Sequence, residues 1–131
     1  MINVQNITVS GAQVWKKQIL TQSKDMFAFS STLAIHVYDK SSFQLLKLLT
    51  FSDQNITAIA WEPNSDKVQT DGNMIAQATI DKKFLIWDLE HEMVKFQMQL
   101  LSHVTQIEWS PLDPNCIFVV QSNLEFKMID L

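Results

Sequence analysis

Cysteine occurs once in these 131 residues, glycine twice and proline three times. The single thiol, Cys116, has no partner for a disulfide, and its place in the apolar string CIFVV reads as a small buried hydrophobe rather than a reactive group. So little glycine and proline leaves no flexible linker or low-complexity tract, and residues 1–131 read as a single domain or one piece of a domain. No run approaches the roughly 18 apolar residues that cross a bilayer. The opening MINVQNITVS also lacks the basic start and apolar centre of a secretory signal. These absences predict a cytoplasmic chain without membrane insertion, in which the Asn-Ile-Thr tripeptides at Asn6 and Asn55 are coincidental rather than glycosylated. Positive charge is also scarce. A net charge of −4 does not supply the field of cations that a sequence-independent grip on nucleic acid needs, and the pairs Lys16-Lys17 and Lys82-Lys83 are too small to reverse this.

What the chain does have is a repeat. ITAIAWEP (56–63) and VTQIEWSP (104–111) share Ile or Val, then Thr, Ile, Trp and Pro at common offsets, 48 residues apart. A weaker copy is AQVWKKQ, whose Trp15 precedes Trp61 by 46 residues. Each unit later closes on an apolar strand, a bulky residue and an aspartate: Tyr38-Asp39, Trp87-Asp88 and Ile129-Asp130. Between these landmarks lie MFAFS, MIAQAT and CIFVV, and after the first two aspartates come FQLLKLLTF and MVKFQMQL. β-Branched and aromatic residues fill these runs, with Asp, Asn, Ser and Gly between them, as short strands joined by turns require. LLKLLTF has the spacing of one helical turn but no cap, and the repeat places a strand there. In ITAIAW, strict alternation puts Ile56, Ala58 and Ala60 on one face and Thr57, Ile59 and Trp61 on the other. Apolar residues on both faces predict a sheet packed between sheets, as in blades around an axis.

These residues resemble the WD-repeat family, whose units are four-stranded blades of a β-propeller. The match is fullest in ATIDKKFLIWDL, where Thr79, Asp81 and Trp87 stand at the family's spacings. The resemblance implies a buried network in which the Trp87 indole N–H donates to the Thr79 hydroxyl and Asp81 orients a histidine from the preceding loop. The place of that histidine falls near Ser52. The third unit has Gln121, Asn123 and Ile129 in the three positions, and the first has Ser30, Thr32 and Tyr38. His103 stands where a loop histidine should, without an Asp or Trp partner in its own unit. More narrowly, DMFAFSSTLAIHVYD followed by ITAIAWEPN resembles the start of the amino-terminal propeller in cilium-associated members of the family, over residues 13–89.

The expected class is therefore all-β: a partial WD-repeat β-propeller with two complete four-stranded blades plus three strands of a third. The units run approximately 11–51, 52–101 and 102–131, with residues 1–10 a candidate closing strand. So few blades leave apolar end faces, which predicts a longer polypeptide or a second subunit that supplies further blades. Trp15, Trp61, Trp87 and Trp109 recur at strand positions and read as core rather than as a base-stacking platform. His36, His91 and His103 share no metal-ligand spacing with one another or with Cys116. No nucleophile elbow, glycine-rich phosphate loop or enclosed carboxylate pair emerges, so neither catalysis nor a cofactor is expected. The expected function is noncatalytic protein binding within a larger assembly, in the cytoplasm or more narrowly the cilium or axoneme. The alternatives are a regulatory or substrate-recruiting module of an enzyme complex and a general cytoplasmic adaptor. Candidate partner-binding residues are Asp53, Gln54, Lys82, Lys83, His103 and Asn123, which the repeat register gathers on one rim. The polar loop NSDKVQTDGN (64–73), longer than its counterpart LDPN, reads either as a binding loop or as a passive insertion.

Overall fold

The computed structural model describes residues 2, 4, 5, 18–51, 53–63, 73–113 and 115–131. Eleven strands are present among them, in three antiparallel sheets. The first sheet is β1 (Leu20–Gln22), β2 (Met26–Ser30), β3 (Ala34–Asp39) and β4 (Leu45–Thr50), in that spatial order. The second is β5 (Ile56–Trp61), β6 (Met74–Thr79), β7 (Lys83–Asp88) and β8 (Met93–Gln99), again a simple meander. The third has three strands, β9 (Val104–Trp109), β10 (Cys116–Gln121) and β11 (Phe126–Asp130). LLKLLT forms β4 because its neighbour β3 offers an open ladder, from Ala34 opposite Thr50 to Val37 opposite Lys47. Trp15 and most of its repeat copy, Lys16-Lys17, the position of Ser52, most of the candidate closing strand at residues 1–10 and most of the 64–73 loop lie outside the described residues.

The sheets stack face on face, each turning its front towards the preceding sheet and its back towards the following one. One core cluster joins the first and second sheets through Ala28, Ile35 and Val37 against Ile59, Trp61 and Trp87. The other joins the second and third through Ala58, Ala60 and Ala76 against Ile107, Trp109 and Ile117. The second sheet is thus buried on both faces. Strict alternation assigned Ile56 to the side of Ala58 and Ala60, and the structure corrects this. Ile56 pairs with Thr79 while Ala58 pairs with Ala78, so Thr57 is an extra residue in a β-bulge and the face reverses there. Ile56 joins Ile59 and Trp61 in the cluster facing the first sheet.

The register also identifies the first sheet's counterpart of the tryptophans. Trp61 pairs with Ile75, Trp109 with Ile117 and Gln22 with Phe27, each partner being the second residue of its strand. Gln22 therefore occupies the place that the Trp15 alignment assigned elsewhere.

The inner edges of the sheets meet at Gln18. Its backbone carbonyl accepts the N–H of Ile59 at 3.0 Å, in a parallel bridge beside Ala58. Its side-chain amide accepts the Ile107 N–H at 3.0 Å and donates to the Ile107 carbonyl at 2.7 Å, so it imitates a peptide group on the free edge of β9. Replacing Gln18 with Ala removes both side-chain bonds, each with a net value of about 1 kcal/mol. We expect a lower urea midpoint with an unchanged slope. Gln18→Glu should cost more, because it also sets a carboxylate oxygen against the Ile107 carbonyl oxygen; an unchanged midpoint in both variants would exclude the clasp.

Candidate functional site

Two groups of residues were singled out by the sequence, one internal and one at a rim. Trp87 is buried in β7 opposite Ile75, but its indole N–H donates to the Gln77 side-chain carbonyl at 2.8 Å and not to Thr79. Thr79 lies on the same face, two residues beyond Gln77, and the longer amide reaches the indole first. The Thr79 hydroxyl instead donates to the Asp81 carboxylate, which also pairs with Lys83 Nζ at 3.4 Å. Burial pushes the Asp81 carboxyl up, but the Thr79 hydroxyl and the Lys83 ammonium outweigh it and hold the group below the usual aspartate range. In the third sheet Gln121 and Asn123 stand at the positions of Thr79 and Asp81, and Asn123 Oδ1 accepts the Glu125 N–H at 3.2 Å. In the first sheet the turn is one residue shorter. Tyr38 pairs with Phe27, which places Ser31 rather than Ser30 where Thr79 stands. Ser31 Oγ lies 3.1 Å from His36 Nε2, whose ring stacks on Phe29 and whose basicity is lowered by burial. Ser30 points to the other face and is buried.

The aspartate after each bulky residue has a separate duty. Asp39 accepts the Ser41 hydroxyl at 2.6 Å, the Ser42 N–H at 2.7 Å and the Ser42 hydroxyl at 2.8 Å, and these bonds lower its pKa to about 2. Asp88 accepts the N–H groups of Glu90 and His91 and meets the His91 ring at 2.8 Å. Both close the turn into the fourth strand, and in both turns the fourth residue on, Phe43 or Glu92, takes positive φ. Such turns fix the register of the outer strand.

The rim is a row of connected turns. The Ile56 N–H donates to the Thr32 carbonyl, Ile80 to Asn55, Leu100 to Lys82 and Ser122 to His103, at 2.7–2.8 Å. This places Asp53, Gln54, Lys82, His103 and Asn123 in the turns of one rim, with the Gln54 amide on Asp53 at 3.1 Å. Lys83 opens β7 and is held by Asp81. The sequence reading missed the apolar members of this rim: Leu101 is 80% and Leu124 88% exposed. Both follow the end of an apolar run in a polar turn, a weak signal beside the strands. Among the described residues no cluster of His, Cys, Asp or Glu could hold a metal ion, and no helix is long and apolar enough to cross a membrane. Burial and the nearby Asp113 and Asp130 carboxylates push the Cys116 thiol up, away from the reactive thiolate.

The internal network gives two measurements. Trp87→Ala should cost about 3–5 kcal/mol by chemical denaturation. In double-mutant cycles, Trp87→Phe with Gln77→Leu should show coupling near 1 kcal/mol, and Trp87→Phe with Thr79→Val should show little. The opposite ranking would restore the Thr79 bond. For Asp81, whose folded-state pKa is depressed, the stabilising contribution is complete above the ordinary value of 3.8 and is lost as pH falls through the lower folded value. Asp81→Asn should therefore lower Tm at pH 7, and the gap from wild type should close at acid pH; a gap independent of pH would contradict this.

No family model matches the sequence. Among solved structures, the β-propeller domain of Cps50 (Swd1) from Myceliophteria thermophila matches 98% of this chain with a TM-score of 0.76 at 17% identity. A chain of the mitotic checkpoint complex matches 78% with a TM-score of 0.65 at 21% identity. The chain spans 37% and 30% of those two chains respectively. The three stacked sheets are blades, two of four strands and one of three among the described residues, and the fold is a partial β-propeller of the WD40 type.

Proposed function

We propose that this protein is a noncatalytic protein-binding scaffold that works as part of a larger propeller or multi-protein assembly. The observation that carries this reading is the rim, where successive turns are joined by backbone hydrogen bonds and present Leu101 and Leu124 to solvent among Asp53, Lys82, His103 and Asn123. An exposed apolar residue at a turn tip has no packing duty, and several on one stiff surface supply anchors within a polar margin. The two structural neighbours are a propeller domain and a chain of a multi-protein complex, which supports the same reading by likeness of fold. Further blades of a longer chain or a second subunit are the proposed partners at the open ends. The proposed setting is the cytoplasm, and its narrower form, the cilium or axoneme, rests on the order of segments in the first two units.

The rim is tested by Leu101→Ser with Leu124→Ser. Both side chains are exposed, so Tm should stay close to wild type. Photo-cross-linking in cells from a probe at Lys82 should give a discrete protein adduct with the wild-type rim and lose it in the double variant. Adducts unchanged by the double variant would remove the rim from the reading.

A further inference from the structure

We propose that the link between the second and third blades docks an acidic segment of another protein, with Leu101 as the apolar anchor and Lys82 as the cation that receives a partner carboxylate. This rests on the scaffold reading above and names the chemistry of the partner.

Leu101 is held out into water by a backbone that is tied on both sides. Before it, Leu100 is buried and its N–H donates to the Lys82 carbonyl at 2.8 Å, while the Gln99 side-chain amide donates to the Asp81 carbonyl at 2.9 Å. After it, Ser102 Oγ meets Gln121 Oε1 at 3.3 Å, and the His103 carbonyl accepts the Ser122 N–H at 2.7 Å. The link is thus fastened to a turn of the blade on each side, and Leu101 between the fastenings is 80% exposed. A side chain presented in this way meets a partner with little further loss of backbone freedom, which is what a preorganised anchor requires.

Lys82 supplies an independent observation. Its φ of 66° lies in the left-handed region, where glycine or asparagine meets the backbone requirement at lower cost. The bond that closes this turn, from the Lys82 N–H to the Thr79 carbonyl at 3.1 Å, uses the main chain alone. Among the described residues the Lys82 ammonium makes no hydrogen bond or ion pair. Folding therefore does not account for a lysine here, and strain held without a structural return points to binding.

The charges nearby select the partner. The chain carries a net −4, but Asp81 beside Lys82 is already engaged by the Thr79 hydroxyl and by Lys83 Nζ at 3.4 Å. Lys82 is left as an uncommitted cation next to the anchor. Exposed His103, two residues beyond Leu101, offers the same segment a ring N–H. Asp53 stands in the link before the second blade and Glu125 in the β10–β11 turn, so a partner carboxylate that slides either way meets repulsion. Attraction at one point and repulsion on both sides fix the register.

The test titrates the full chain with fluorescein-labelled peptides: one that alternates Glu with Leu and Phe, one with Lys in place of Glu, and one with Ser in place of Leu and Phe. Only the acidic apolar peptide should saturate, with NMR shift changes centred on Lys82, Leu101 and His103. Leu101→Ser and Lys82→Glu should each weaken it at least about tenfold at low salt, and Lys82→Glu should turn the preference to the Lys peptide. Lys82→Gly should keep or raise Tm, because glycine relieves the left-handed backbone, while weakening the peptide about threefold. Absence of saturable binding up to millimolar acidic apolar peptide overturns the proposal. So does equal binding of the Lys peptide, or a lower Tm for Lys82→Gly, which would give Lys82 a duty in the fold. With the photo-probe moved to Asn123, a cellular adduct lost in Leu101→Ser with Leu124→Ser but kept in Lys82→Glu would leave the scaffold reading standing while removing the acidic partner.

Discussion

The burial of β5 on both faces is the constraint on which the rest of the structure depends. A strand apolar on one side needs one neighbour, whereas Ile59 and Trp61 facing one way with Ala58 and Ala60 facing the other need two. That requirement sets the stacking order of the three sheets. It also explains the size pattern within the strand, since the alanines let the Trp109 indole approach close enough to bond the Ala60 carbonyl. Trp61 in turn lies against a first blade whose back offers Ala28 and Val37. Large against small, repeated at each junction, lets twisted sheets approach without leaving voids.

Polar groups inside this stack answer to reach as much as to residue type. Trp87 finds its acceptor in Gln77, so the Thr79 hydroxyl is committed to Asp81, and Asp81 in turn holds Lys83 at the start of β7. The network of the second blade thereby divides into a buried indole-amide pair and a half-exposed cluster that closes the turn into β7. The first part bears on packing, because an unpartnered indole in that position would carry a desolvation cost. The second part is sensitive to pH and to salt, being nearer to water.

Architecture was legible in the sequence because the signal for it was redundant. Two aligned Ile-x-Trp-x-Pro segments and three bulky-Asp endings specify the repeat period, and the period alone implies the meanders observed. Details that shift by one residue were not legible. The bulge at Thr57 reverses the face of Ile56, and the shorter β2–β3 turn moves the equivalent of Thr79 from Ser30 to Ser31. Strict alternation has no means of placing an extra residue, since a bulge is decided by pairing with the neighbouring strand. Gln18, Gln22 and Gln77 went unread for a related reason. Glutamine carries no periodic signal, and its part here is set by what a side-chain amide can reach once the strands are stacked.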